Sequence, residues 1–311
     1  MDAVAVVLES PQKLALETVR LHAPGPGDVA VQVRASGVST GTERLLWSGA
    51  MPSFPGLGYP LVPGYEATGE VVEAGPRSGL KAGDHVFVPG ADCYEGARGV
   101  FGGASQGVVT SGDRVVVVDP ALGEEATLLA LAAPAAHALG HLGGGSPDLI
   151  VGHGALGRLL ARLAVATGGR PPVVWEADPA RRSGAIGYTI IDPQEDTRRD
   201  YRTVVEASGD ATVVDTLISR LAHGGEIVLA GFYGARLSFS FPSAFMREAR
   251  LKISAEWARE DLLTVRALVE NGTLSLAGLI TDRRPASDAP EAYRTAFSDP
   301  NCLKMILNWN A

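Results

Sequence analysis

The chain has 311 residues, 46% hydrophobic and 20% charged, which is enough for two domains of ordinary size with real cores. Its 27 basic residues face 35 acids, for a net charge of −8, and the arginine pairs Arg181-Arg182, Arg198-Arg199 and Arg283-Arg284 form no stripe, so no nucleic acid is expected as a partner. Two cysteines, Cys93 and Cys302, are too few for a disulfide framework or an all-cysteine zinc site. The start lacks a signal-peptide layout, and the longest apolar stretch, 126–136, is broken by Pro134, so a soluble cytoplasmic protein with no transmembrane segment is expected.

From Met1 to about Pro120 the apolar residues come in short β-branched runs at 4–7, 29–33, 70–74, 85–89 and 115–119, separated by Pro-Gly, Gly-Asp and Ser-Gly turns, which predicts short strands. Beyond Pro120 the stretch EEATLLALAAPAAHALGHL is helix-like. Apolar runs at 149–152, 173–176, 189–192, 203–207 and 227–231 then alternate with helical segments, the spacing of βαβ units and hence of a parallel sheet. DLLTVRALVENG predicts a helix stopped by Asn271-Gly272, and KMILNW (304–309) one more strand.

Gly152-His153-Gly154-Ala155-Leu156-Gly157 follows the run Leu149-Ile150-Val151 and opens the helical stretch 158–167. In such a turn the first glycine makes the bend, the second lets backbone N–H groups approach a pyrophosphate, and the third lets helix and strand pack closely. In a chain with 38 glycines the pattern alone could be an ordinary turn, so the flanks carry the weight. The next run ends in Glu176, where a carboxylate can accept hydrogen bonds from ribose hydroxyls and repel a 2′-phosphate, which favours NAD over NADP. Glu176 or Asp178 could instead merely cap the following helix, which Asp178-Pro179 suits, or both readings hold, with Glu176 on the ribose and Asp178 as the cap. Arg181 and Arg182 keep NADP open, since an arginine here can hold a phosphate.

The segments GYEATGEVVEAG (64–75), GDHVFVPG (83–90), GGASQG (102–107), the run 206–234 and ITDRRPASDAPEAY (280–293) resemble the medium-chain dehydrogenase/reductase superfamily, almost end to end. The resemblance implies an α/β protein: a GroES-like β domain over 1–120, completed by 279–311, and a doubly wound Rossmann nucleotide-binding domain over 121–278. It implies that Ala207, Ser208, Gly231 and Phe232 line the cofactor cleft beside the glycine turn and Glu176. Within the superfamily, residues 37–66 and 5–16 resemble the hydroxyethyl bacteriochlorophyllide dehydrogenase family, which oxidises a hydroxyethyl substituent to acetyl with NAD late in bacteriochlorophyll a synthesis. That implies NAD as cofactor and a chlorin- or bacteriochlorin-type pigment as substrate, and leaves a homodimer open.

In zinc members of the superfamily a Cys, a His and a further Cys or Glu bind the catalytic metal. The matching positions here look like Ser39, Tyr65 and Ala130 or Ala133, so the resemblance implies no metal. Tyr65 then becomes the expected catalytic group, donating to a developing alkoxide or, if its pKa falls well below ~10, accepting the proton. Ser39, Thr42, Glu43 and Glu66 are candidates to relay that proton, although Glu66 also reads as a buried acid bonded to backbone or to an arginine such as Arg44. His137 is an alternative base that also reads as packing on an Ala-rich helix. Trp47, Met51, Phe54, Leu57 and Tyr59 sit in a stretch broken by prolines and glycines, either an apolar loop for a large flat ring or a loop packed on its own domain. Two competing functions remain, a zinc-free NADPH quinone or enoyl reductase and a dinucleotide-binding protein without turnover.

Overall fold

Short runs of mostly buried, β-branched residues turn the first third of the chain into strands that pair mainly antiparallel. The computed structural model describes residues 1–234 and 236–310. These fall into two compact units, Met1–Ala130 with Leu279–Ala311, and Leu131–Gly278. In the first, a five-stranded sheet runs in the order Tyr94–Glu95, Lys13–Leu21, Asp2–Ser10, Leu61–Val62, Arg98–Gly99. The strand Lys13–Leu21 has no periodic apolar signal, because Lys13, Glu17 and Arg20 sit among its half-buried residues; its pairing with the buried Asp2–Ser10 strand fixes it instead.

The second sheet of this unit places the chemistry. Its order is Val116–Val117, His85–Val88, Ala67–Ala74, Asp28–Val38, Met305–Asn308, Asp282–Pro285, with Gly107–Ser111 also paired to Asp28–Val38. Ser36 lies opposite Ala67 in the register, so the residues just after one strand and just before the other emerge side by side. Those residues are Ser39 and the pair Tyr65-Glu66. The returning strand Met305–Asn308 pairs antiparallel with Ala35–Val38, and Met305 and Leu307 join Val31, Val33, Val71 and Val86 in one core.

In the second unit six strands form a wholly parallel sheet in the order Thr189–Ile191, Val173–Trp175, Leu149–Val151, Tyr201–Glu206, Leu221–Leu229, Arg250–Ile253. Five of these are the predicted apolar runs. The sixth escaped notice because Arg250 and Lys252 alternate with Leu251 and Ile253 on an edge strand that is only partly buried. The helix Ala155–Ala166 follows the glycine turn, and Arg259–Glu270 ends at Asn271 with Gly272 at φ 76°, as the sequence predicts. The helix-like stretch after Pro120 divides into a 3-10 segment, Pro120–Leu128, and the helix Leu129–Gly140, which carries Pro134 inside it.

Candidate active site and dinucleotide cradle

At the strand ends of the first unit, the Tyr65 hydroxyl lies 2.7 Å from Ser39 Oγ and 3.4 Å from Thr42 Oγ1. Ser39 is buried, whereas Tyr65 and Thr42 are half-buried, so the hydroxyl cluster runs from the interior toward water. Burial, and then the nearby Glu66 carboxylate, hold the Tyr65 phenol well above its ordinary pKa. A shift in that direction keeps the proton on the phenol. Phe101 packs edge-on against the Tyr65 ring at 5.3 Å, is 37% exposed and sits at φ 72°, a conformation unfavourable for a bulky residue. Sequence reasoning missed Phe101, whose only signal is an aromatic residue directly before Gly102-Gly103.

The two carboxylates beside this cluster are committed elsewhere. Glu43 is fully buried; its Oε1 accepts from the Ser39 backbone N–H at 2.9 Å and its Oε2 from the Tyr293 hydroxyl at 2.6 Å. Burial pushes its pKa up to about 7. Glu66 is equally buried and both its oxygens accept from Lys304 Nζ, at 2.7 and 2.6 Å; the same ammonium donates to the Val38 carbonyl at 3.2 Å. Arg44, the expected partner of Glu66, is exposed. Glu43 and Glu66, expected as relay candidates, are thus held by backbone and side-chain partners that also anchor the frame around Ser39 and Tyr65. Gly37 makes room for this, since a Cβ there would lie 2.2 Å from Glu66 Oε2. The apolar loop packs on its own domain, with Trp47, Met51, Leu57 and Tyr59 against Leu8, Leu46, Leu61 and Val100, while Phe54 stays 38% exposed.

In the second unit the glycine turn has the geometry of an anion cradle. Gly152 takes φ 94°, and a Cβ on it would press on Ser208; a Cβ on Gly157 would come within 1.9 Å of the Gly152 carbonyl oxygen. Gly154 has an ordinary backbone conformation and open space around its missing Cβ, directly before the helix that begins at Ala155 and Leu156. Glu176 Oε2 accepts from the His153 backbone N–H at 3.0 Å and Oε1 from the Asp178 N–H at 2.9 Å, which fixes the carboxylate beside the turn. Asp178 also accepts from Ala180 N–H, so it caps the short helical turn that follows.

His153 itself presents only its backbone there. Its Nδ1 is 2.7 Å from the Arg181 carbonyl, which can only accept, so Nδ1 carries the hydrogen and Nε2 accepts from the Tyr188 hydroxyl at 2.8 Å. Burial holds its pKa down to about 4, and the imidazole is neutral. Next along the sheet, Ala207 N–H donates to the Val151 carbonyl and Ser208 donates through N–H and Oγ to the buried Glu206, whose pKa burial raises. Tyr233 donates to the same carboxylate, and a Cβ on Gly231 would meet Gly209 N at 2.8 Å, so the Ser208 and Gly231 segments are tied together. Phe232 is 55% exposed. His137 Nδ1 is 2.8 Å from Asp261 Oδ2, a carboxylate that also caps Ala258 N–H, so His137 is held by a helix terminus.

The chain is similar to known proteins over its whole length. Residues 25–144 match the alcohol dehydrogenase GroES-like domain. The 2-desacetyl-2-hydroxyethyl bacteriochlorophyllide A dehydrogenase of Rhodobacter capsulatus is 57% identical over 99% of both chains, and that of Cereibacter sphaeroides is 59% identical over 100% of this chain and 99% of its own. The chain belongs to the 2-desacetyl-2-hydroxyethyl bacteriochlorophyllide A dehydrogenase family. The 2R,3R-butanediol dehydrogenase of Bacillus subtilis superimposes on this dehydrogenase fold with a TM-score of 0.85 at 21% identity, over 99% of this chain and 100% of that one. Further structures of the fold, at 18–21% identity, hold NADH, NADP or NAD.

For this member of the bacteriochlorophyllide dehydrogenase family, the residues present fit a nicotinamide dinucleotide: an open glycine face at a helix start and a fixed carboxylate at the next strand end. The two hydroxyls of Ser39 and Tyr65 are a poor donor set for a zinc ion, and among the described residues no three of His, Cys, Asp and Glu gather together. Among the described residues no helix is long and apolar enough to cross a membrane.

Proposed function

We propose that the protein oxidises the hydroxyethyl side chain of a bacteriochlorophyllide to an acetyl group, with NAD as acceptor and without zinc. The observation that carries this reading is the pair of hydroxyls, Tyr65 and Ser39, set 2.7 Å apart at the strand ends. Bound NAD supplies the hydride acceptor. Tyr65 donates a hydrogen bond to the oxygen on which negative charge develops, the task a metal performs elsewhere. The Tyr65 oxygen takes up the substrate's hydroxyl proton, which then serves as its donor to the developing carbonyl oxygen, while the phenol's own hydrogen passes to Ser39 or Thr42 and the hydrogen displaced from that hydroxyl leaves to water. Exposed Phe101 and Phe54 supply flat apolar area for a macrocycle. Glu176 receives the ribose hydroxyls and disfavours a 2′-phosphate.

Tyr65→Phe tests the chemistry. With pigment and NAD, kcat falls roughly 10²–10⁴-fold, the scale of a general acid–base group, while NADH binding measured by fluorescence stays intact. A raised KM with unchanged kcat would make Tyr65 a pigment contact, and near-normal turnover would overturn the mechanism. Elemental analysis of the purified protein is expected to find zinc far below one per chain. One tightly held zinc, with turnover lost on chelation, would refute the metal-free site.

A further inference from the structure

Behind Glu176 lies a charged clamp that the sequence motif does not contain. Arg182 folds back on the end of the preceding strand: its Nε donates to the Glu176 carbonyl at 2.8 Å, and its Nη2 donates to the Ala177 carbonyl at 2.7 Å and to Asp192 Oδ2 at 2.6 Å. Three of the five guanidinium hydrogens are thereby used on the turn and on one carboxylate. Both side chains are about three-quarters buried, with 27% and 22% of their surface exposed, which keeps the pair less screened than a free surface ion pair. Asp192 follows the strand Thr189–Ile191, which pairs in parallel with Val173–Trp175, and Glu176 N–H donates to the Ile191 carbonyl at 3.1 Å. The two strand ends therefore bring Glu176, Arg182 and Asp192 together, and Asp192 Oδ1 is itself held by Gln194 N–H at 2.9 Å.

We propose that Asp192 is a specificity-determining residue for the dinucleotide: by pairing with Arg182 it withholds the one cation on this turn that Glu176 itself anchors, so that Arg182 supports the ribose-binding carboxylate instead of receiving a 2′-phosphate. Arg182, one of the two arginines whose place in the sequence keeps NADP open, thus works for NAD. This inference rests on the proposed NAD preference and adds the residue that enforces it.

Fluorescence titration with NADH and NADPH measures the two affinities without turnover. The unmodified protein binds NADH more tightly; equal affinities would sink the NAD preference itself, whatever Asp192 does. In Asp192→Asn the Arg182 charge loses its counter-ion, and the Kd ratio of NADPH to NADH falls on the order of tenfold. Adding Arg182→Gln to that variant restores the original ratio. A purely structural role for Asp192 would weaken both cofactors alike and leave the ratio unchanged, which would overturn the proposal. Arg182→Gln in the otherwise unmodified protein gives an independent check should Asp192→Asn fail to fold. Withheld by Asp192, the arginine contributes nothing to NADPH, so the single variant does not lose NADPH affinity selectively; a selective tenfold loss would show that Arg182 already meets the phosphate and would refute the clamp.

Discussion

Glu43 shows how a single buried group sets a pH dependence. Its folded-state pKa, raised from 4.5 to about 7 by burial, lies above the unfolded value, so the native state binds the proton more tightly. The stability this contributes is fully present below about pH 4.5 and is lost as the pH rises through 7, a swing of roughly 3 kcal/mol. Glu43→Gln keeps an acceptor for Ser39 N–H and offers an N–H to the Tyr293 oxygen. Urea midpoints are therefore expected to coincide for the two proteins near pH 5 and to favour the Gln variant at pH 8; parallel curves across that range would show that Glu43 does not titrate there. At this scale the sequence was partly legible. Ser39 and Tyr65 stand at positions the superfamily pattern marks, and the structure brings their hydroxyls together. Tyr293 and Lys304 were not, because the bonds that matter, Tyr293 to Glu43 and Lys304 to Glu66, span 250 and 238 residues, and a lone lysine before an apolar strand carries no local sign of a buried partner.

In the glycine turn the structure gives the three glycines different surroundings: Gly152 takes a positive φ, Gly157 lies against a backbone oxygen, and Gly154 faces open space. Gly157→Ala forces a Cβ to 1.9 Å from a backbone oxygen of the same turn, so it damages the fold of the second unit and is expected to lower its Tm by several degrees. Gly154→Ala meets nothing in the protein. Its thermal midpoint should match the parent, while NADH affinity falls at least tenfold because the methyl group occupies space for the pyrophosphate. Unchanged NADH binding in Gly154→Ala would mean that the phosphates do not lie over this turn. Where elements escaped the sequence, the reason is physical: the strands Lys13–Leu21 and Arg250–Ile253 are edge-proximal and mixed in polarity, so pairing with a buried neighbour fixes them and periodicity does not.

For the whole molecule, the buried Lys304–Glu66 pair joins the returning strand to the strands that carry Ser39 and Tyr65. Lys304→Met leaves an uncompensated carboxylate at 0% exposure and is expected to cost about 3–5 kcal/mol in the first unit, whereas Lys304→Met with Glu66→Met removes both charges and recovers most of that loss. Additive losses in the double variant, read from urea unfolding, would show that the pair does not act as a unit. The GroES-like and Rossmann architecture was legible from the sequence because motifs spread along most of the chain agree with one another.

The discontinuity of the first unit has a consequence for how the protein is made. Its seven-stranded sheet sets Val38 and Lys304 in contact, 266 residues apart, with the whole parallel-sheet unit in between. At a synthesis rate of about 5–20 residues per second, the strand Asp28–Val38 waits roughly 15–50 s on the ribosome for its neighbour. During that interval the Ala35–Val38 stretch of its edge is unpaired, since Gly107–Ser111 covers only Asp28–Gln32, and Glu66 lacks the Lys304 counter-charge, while residues 131–278 gain every strand of their own sheet before the interval ends. The unit encoded in the middle can thus finish first, and the nascent N-terminal strands are the segment that a ribosome-associated chaperone would be called on to cover.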